Sequence, residues 1–257
     1  MKALGRWLVL FISAALALQA FFLVRIALMA AFDPQSTTFQ RSEAWRIERE
    51  KGQLRWSQQW VPYDRISENL KRAVITSEDA SFTNHDGVDW EALDKAWQRN
   101  EKAQEQAAKQ TARQAVRKNA PVRAAPAVRP PKIVGGSTIT QQLAKNLLLS
   151  GERSTYTGLL RKGQELVLTF ELERLLTKER ILEIYLNSVE WGEGVFGAEA
   201  AARHYYRKSA SQLTAYEAAR LAVMLPRPKY FEKVPGSGYL ASRASTIVAR
   251  MPAAELP

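Results

Sequence analysis

From Trp7 through Val24 the chain carries no charged residue, and after Arg25 the apolar character resumes as far as Phe32. A helix needs roughly 20 such residues to cross a bilayer, so this run restricts the N-terminus to a membrane span or a secretory leader. Leaders have basic residues ahead of the run, as Lys2 and Arg6 are here, and Ala27 to Ala31 would offer small residues for cleavage. Their apolar cores are shorter, about 7 to 15 residues, and that length favours an uncleaved anchor. Basic residues at the N-terminus stay on the cytoplasmic face, so everything after Asp33 is expected on the far side. Nucleic acid is then excluded as a partner.

The remainder is expected to fold. At 257 residues with 46% hydrophobic and 25% charged side chains, the chain can bury a sizeable core. Against 26 acidic residues stand 37 Lys and Arg, a formal charge of +11, which suits an anionic partner such as phospholipid headgroups or a pyrophosphate. The absence of cysteine excludes disulfides and thiolate metal sites, and with only His85 and His204 a histidine-rich zinc site is excluded too.

Beyond the anchor the patterning is helical. Residues 33–60 mix charges with Trp45, Trp56 and Trp60 and read as a juxtamembrane connector, its indoles either at the interface or packed on the domain. Leu70, Ala73, Val74 and Ser77 recur at helical spacing and place a helix from Ile66 that gives out near Glu78. Residues 95–132 are almost wholly Ala, Lys, Gln, Arg, Asn and Pro. They read as a mobile insertion whose first half can be a solvated helix and whose Pro121, Pro126, Pro130 and Pro131 enforce an extended tail. Ser137 then caps a helix with an Ile139, Leu143, Leu147 stripe and a polar side of Thr138, Gln141, Gln142 and Lys145. Further helices are expected over Arg161–Leu176 and Lys178–Leu186, and Thr214 with Glu217 forms a capping box ahead of another, stopped by Pro226 and Pro228. Strand-like alternation is nearly absent, so the fold is read as mainly α.

Three clusters put polar groups where an amphipathic helix would not need them. In the first, Thr76 to Gly87, Glu78 and Asp79 stand at a helix C-terminus, where the macrodipole disfavours a carboxylate and raises its pKa. A glutamate held so is suited to general base or acid work near neutral pH, whereas a solvated loop would merely pair it with lysines. In the second, Gly135 and Gly136 open a helix whose free N–H groups attract anions, with Gln141 and Gln142 suited to sugar hydroxyls and acetamido groups. The third, Arg161 to Glu165 with Arg153 upstream, is either a surface i,i+4 salt bridge worth about 0.3–0.5 kcal/mol or a second carboxylate among cations that neutralise a departing diphosphate. Gly192 to Gly197 matches G-x-G-x-x-G but lacks a preceding strand, and is read as a glycine-rich loop.

In this order the clusters resemble the motifs of glycosyltransferase family 51, the peptidoglycan glycosyltransferases. Glu78-Asp79-Ala80-Ser81-Phe82 with His85 and Gly87 is similar to E-D-x-x-F-x-x-H-x-G. Gly136 to Gln142 with Lys145 and Asn146 is similar to G-x-S-T-[IL]-T-Q-Q-x-x-K-N, and Arg161 to Glu165 to R-K-x-x-E. Ile181 to Asn187, Gly192, Gly197 to Ala202 and Tyr205-Tyr206 continue the pattern, which spans roughly Val61 to Tyr239. With no S-x-x-K or K-T-G signature following, the match is to anchored, single-domain members. The long spacer at 95–132 and the extra residues Ser154 to Leu160 depart from the family pattern, the latter beside Arg153.

The resemblance implies a lysozyme-like, two-lobed helical domain at 61–240, after a cytoplasmic stretch 1–6, an anchor 7–32 and a connector 33–60, and before a tail 241–257. It also implies polymerisation of lipid II at the bacterial inner membrane, with the catalytic domain periplasmic. Glu78 would deprotonate the acceptor 4-hydroxyl, and Glu165 would assist departure of undecaprenyl pyrophosphate. Asp79, Phe82, His85, Ser137, Thr138, Gln141, Gln142, Lys145, Asn146, Arg153, Arg161, Lys162 and Asn187 would bind substrate. A divalent cation, Mg or Mn, and cell-wall synthesis proteins are further partners it allows. A wall-cleaving hydrolase on the same scaffold and a catalytically idle membrane scaffold are the competing readings; the Gln-Gln and Lys-Asn cluster argues against the first and retention of both glutamates against the second.

Overall fold

The computed structural model describes residues 2–117, 136–149 and 158–257. Arg153, Gly135, Ser154 to Thr157 and the four prolines of the insertion lie outside the described residues.

Helix α1, Lys2–Leu28, contains the apolar run, and its Ala3–Leu28 stretch is long and apolar enough to cross a membrane. It stops before the run ends at Phe32. Most of its side chains are exposed, but Phe22 and Ile26, with Met29 just beyond its end, are buried in the main core. The last turns of the anchor are therefore built into the domain. They lie against α6, Gly158–Leu175, where Gln19 and Gln164 exchange amide hydrogen bonds of 2.7 and 3.0 Å. Inside a bilayer an unpaired amide is costly, and this reciprocal pair removes the cost for both. Arg180 donates to the carbonyls of Met29 (2.8 Å) and Phe32 (3.1 Å) and to Asp33 (2.7 Å), fixing the point where the chain leaves the anchor.

The connector is more ordered than its composition suggests. Helix α2, Thr38–Lys51, is closed by a Thr37–Gln40 capping box and by Gly52 in the left-handed region. Trp56 stacks on Phe196 at 4.5 Å and Trp60 donates to Glu183 at 3.3 Å, so these two pack on the domain, while Trp45 is exposed.

Helix α3, Glu68–Glu78, is capped by Ser67 and buries Leu70, Ala73 and Val74. Its end at Glu78 is where the periodicity placed it. Residues Asp89–Ser137 form a separate compact unit. It holds α4, Trp90–Arg117, begun by Asp89, whose carboxylate accepts the Ala92 N–H at 2.7 Å. Helices α5 (Ile139–Leu148), α6 and α7 (Lys178–Ser188) pack together, with Ile139, Leu143 and Leu147 buried as their spacing requires. The cap of α5 is Thr138, in a box with Gln141, and Ser137 is exposed one residue earlier. Helix α8 (Ala198–Tyr206) leads to α9 (Ala215–Met224), which starts at the expected Thr214–Glu217 box and packs on α3. Pro228 opens a short helix α10, Pro228–Phe231, and α11, Gly238–Arg250, closes the core against α9 and α3. The protein is mainly helical.

The small sheet orders its strands β1-β3-β2: β1 (Ser57–Gln58) runs parallel to β3 (Val195–Phe196), and β2 (Glu190–Gly192) antiparallel to it. The G-x-G-x-x-G segment is thus a hairpin turn. Gly194 sits at φ +73°, and a Cβ there would overlap the Arg55 carbonyl oxygen, so the turn admits only glycine. Glu190 is a buried charge in this layer, 8% exposed. Burial pushes its carboxyl up to about 7; Lys229 at 3.4 Å opposes this and Glu43 adds to it. Because the folded value exceeds the ordinary 4.5, the folded chain binds this proton more tightly than the unfolded chain. The resulting stabilisation is fully present below pH 4.5 and is lost as pH rises through about 7. Glu190→Gln is expected to abolish that loss, so that melting curves of parent and variant diverge by a few degrees between pH 5 and 8. Parallel curves would show that the buried carboxylate does not set this pH dependence.

Candidate active site

Glu78 is the last residue of α3 and is half-buried. Its Oε2 accepts a 3.0 Å hydrogen bond from Gln142 Nε2 on α5. On its other side Gln142 Oε1 accepts from the Tyr185 hydroxyl on α7 at 3.0 Å. A hydroxyl can donate or accept but an ionised carboxylate only accepts, so Glu78 turns the amide nitrogen toward itself and leaves the amide oxygen for Tyr185. Three helices thus present one carboxylate. The other oxygen, Oε1, receives only a long 3.3 Å bond from Ser77 Oγ among the described residues.

The Glu78 carboxyl titrates above the ordinary carboxylate range, chiefly because it is buried; the hydrogen bonds from Gln142 and Ser77 oppose the shift and Asp79 adds to it. The sequence pattern pointed to the helix terminus as the cause, but removal from water is the larger effect. Tyr185, 1% exposed, is pushed well up by burial and by Glu78 and Asp79, so it stays a neutral donor.

Asp79 does a different job. Its Oδ2 accepts the Ile139 N–H at 2.9 Å and its Oδ1 lies 2.9 Å from His85 Nε2. His85 Nδ1 accepts the Gly87 N–H at 3.1 Å, which leaves the ring proton on Nε2, facing Asp79. The anion expected at the start of α5 is therefore the protein's own Asp79. Thr138 Oγ1 donates to the Gly87 carbonyl at 2.6 Å, clamping the same loop to the same helix. Gly87 sits at φ +86°, and a Cβ there would meet Thr169 Cγ2 at 2.6 Å. Thr169 Oγ1 in turn bonds the Glu165 carbonyl one turn earlier in α6 (2.7 Å). The Asp79 and Thr138 bonds lock the first cluster to the second, and Gly87 packs closely against Thr169 of α6.

Glu165 is buried, 7% exposed, and accepts from Lys162, which is itself half-exposed. The i,i+3 lysine is its partner in place of Arg161, and the pair is not a surface bridge. Phe82 is fully buried, edge-on to His85, with Lys178 over its face at 4.7 Å. Gln141 is occupied by the Thr138 box, and Asn187 spends its amide on Val61 and on the Glu183 carbonyl, all at 2.9 Å. Gln142, Lys145 and Asn146 are the residues of α5 that reach the surface.

Sequence reasoning missed Tyr185, whose hydroxyl within an apolar stripe was the available signal. It also missed Thr140, Glu173 and Lys178: Thr140 donates to Glu173 at 2.6 Å, and Lys178 bridges Glu173 (2.8 Å) and the His85 carbonyl (2.5 Å). A cleft of about 670 Å³ opens on the anchor side, lined by Leu23, Phe170, Glu171 and Arg174, with neither Glu78 nor Glu165 in its wall. Among the described residues no group of three or more His, Asp or Glu could hold a metal ion.

Residues 47–252 match the transglycosylase family model. Over 258 residues, 99% of this chain and 93% of the relative, the sequence is 50% identical to a biosynthetic peptidoglycan transglycosylase of Burkholderia vietnamiensis. A protein of the same description from Paraburkholderia xenovorans is 52% identical over 94% of this chain and 88% of its own length. That of Burkholderia thailandensis is 50% identical over 100% and 90%.

Proposed function

Since this chain belongs to the transglycosylase family and is a peptidoglycan glycosyltransferase with an N-terminal membrane helix, we propose that it polymerises lipid II into glycan strands by inverting β-1,4 transfer. The observation that carries this reading is Glu78, raised above the ordinary carboxylate range by burial and held by the Gln142 amide, which Tyr185 bonds from its other side. Its Oε1 takes the proton of the acceptor 4-hydroxyl. The acceptor oxygen bonds to the anomeric carbon of the growing lipid-linked chain, and the bond from that carbon to the diphosphate breaks with the electron pair leaving on undecaprenyl pyrophosphate. Lys162 beside Glu165, with Lys145, Arg161 and Arg153, supplies positive charge toward the departing diphosphate. An acceptor sugar must fit between base and leaving group, so the two carboxyls are expected to stand farther apart than the roughly 5–5.5 Å of retaining glycosidases. Any Mg or Mn would be held mainly by the substrate diphosphate, because the described residues offer no cage of their own.

The exposed apolar residues Leu159, Leu160, Val167 and Phe170 of α6 suit a face resting in lipid beside the anchor, with the domain in the periplasm. Detergent-solubilised full chain given lipid II should yield glycan strands; failure to form any would overturn the reading. The pH profile offers a finer test. A general base works ionised, so kcat/KM should fall as pH drops through the Glu78 value, with its acid limb above that of an ordinary glutamate. Gln142→Leu removes a hydrogen bond that favours the ionised form and should move the limb further up. A limb that stays put would assign it to another group.

A further inference from the structure

The end of the anchor carries a feature that glycan polymerisation does not use. Arg25 is the one charge between Arg6 and Asp33. At 1.5 Å per residue, the distance from Arg6 to Arg25 along α1 is about 29 Å, close to the roughly 30 Å of a bilayer's hydrocarbon core. If Arg6 marks one interface, Arg25 stands at the other, among headgroups. There the fold makes a hollow of about 270 Å³, lined by Arg25, Leu28, Met29, Phe32, Pro34 and Arg41 together with Asp33, Gln35 and Ser36.

Two guanidinium groups share this hollow and are near enough to repel one another. Like charges brought together by a fold call for an anion between them. The carboxylate in the wall, Asp33, is bonded to Arg180 at 2.7 Å. Arg25 has no hydrogen bond or ion pair among the described residues, whereas Arg41 is held in place by Ser36 Oγ (3.0 Å) and Thr38 Oγ1 (3.1 Å). Leu28, Met29 and Phe32 give the hollow an apolar wall next to the point where α1 leaves the bilayer. A group that fits must be anionic, carry several acceptor oxygens in fork geometry and be attached to an apolar tail.

We propose that this hollow is a binding site for the phosphate of an interfacial lipid, gripped between Arg25 and Arg41 with its apolar tail turned back into the bilayer beside α1. The proposal rests on α1 spanning the membrane but not on the assignment of the catalytic residues. Bound there, a lipid would pin the angle at which the anchor enters the domain, since Arg41 lies on α2 and Arg25 on α1.

Native mass spectrometry of the detergent-solubilised full chain tests this with defined lipids. The parent chain is expected to retain phosphatidylglycerol in preference to phosphatidylcholine, with retention falling at least tenfold in Arg25→Gln and in Arg41→Gln. Arg25→Lys keeps the charge but loses the fork. It should also lose retention, whereas undiminished retention would reduce the site to unspecific attraction and overturn the proposal. Undecaprenyl pyrophosphate is the second arm: if it alone is retained, the pocket holds the carrier lipid; if phosphatidylglycerol is retained in its presence, a phospholipid occupies it. Retention of neither, or equal retention by parent and variants, would refute the site. Neither arginine touches Glu78, so polymerisation by the variants in the same detergent reports that they remain folded.

Discussion

Glu78→Gln is expected to lower glycan-strand formation by about 10² to 10⁴, the usual cost of losing a positioned general base, while leaving the melting temperature at or above that of the parent chain. The substitution suits the local network. Glutamine can still accept the Gln142 amide through its oxygen, and its new nitrogen faces Ser77 Oγ, which can accept. Only the Ser77 hydroxyl proton, now on a long 3.3 Å bond, must turn to another acceptor, and at this half-buried position water can supply one. Burial of an ionised carboxylate opposes folding at neutral pH, so the neutral amide removes a penalty. Glu91→Gln is the matched control: that side chain is 78% exposed and, among the described residues, bonds Lys95 across a helical turn. The measurement is polymer yield from lipid II, beside a melting curve, for parent and both variants. Undiminished polymerisation by the Glu78 variant would move the base to another carboxylate, and equal loss in the Glu91 variant would show that the assay responds to general damage.

How much of this was legible in the sequence depends on whether local or distant residues fix a feature. The end of α3 at Glu78, the Thr214–Glu217 box and the Ile139, Leu143, Leu147 stripe follow from periodicity and capping within a few residues. Helix α2 carried the same kind of signal in Thr37, Gln40 and Gly52. It was hidden because the helix buries little besides Gln40 and Ile47, so no apolar stripe announced it. The cap of α5 moved by one residue, from Ser137 to Thr138. Both can cap, and the choice is made by Gln141 three residues beyond Thr138 and by the Gly87 carbonyl, which is distant in sequence. The hairpin at Gly194 was invisible to alternation because its strands are two and three residues long.

At the site, residue identities were legible and their tasks were not. Phe82, Thr138, Gln141 and Asn187 all stand in motif positions that the resemblance marks for substrate, yet each is buried and occupied by its neighbours. A motif records which residues a reaction needs without separating those that touch the reacting groups from those that hold them. Burial makes that separation here: Gln142, Lys145 and Asn146 reach the surface from α5, and the residues behind them do not.

Asp79 gives the sharpest instance, and Asp79→Asn is expected to cost about 3 kcal/mol of stability, on the order of 10 °C in melting temperature. Both carboxylate oxygens accept buried hydrogen bonds, from Ile139 N–H and from His85 Nε2. An amide offers one oxygen and one NH₂, so one of those donors must face another donor. The His85 tautomer gives no escape. Moving its proton to Nδ1 would free Nε2 to accept from the new amide, but would set Nδ1–H against the Gly87 N–H it now accepts. The conflict moves along the chain without disappearing, because every member of the series is spoken for. Since the start of α5 and the loop after Glu78 are joined through this carboxylate, the variant should also polymerise more slowly, by less than Glu78→Gln when both are assayed well below their melting temperatures. The pair of measurements separates position from chemistry. A variant that melts with the parent chain but loses as much activity as Glu78→Gln would make Asp79 a participant in proton transfer, whereas a lower melting temperature with an acid limb unchanged in pH leaves Glu78 as the group that titrates.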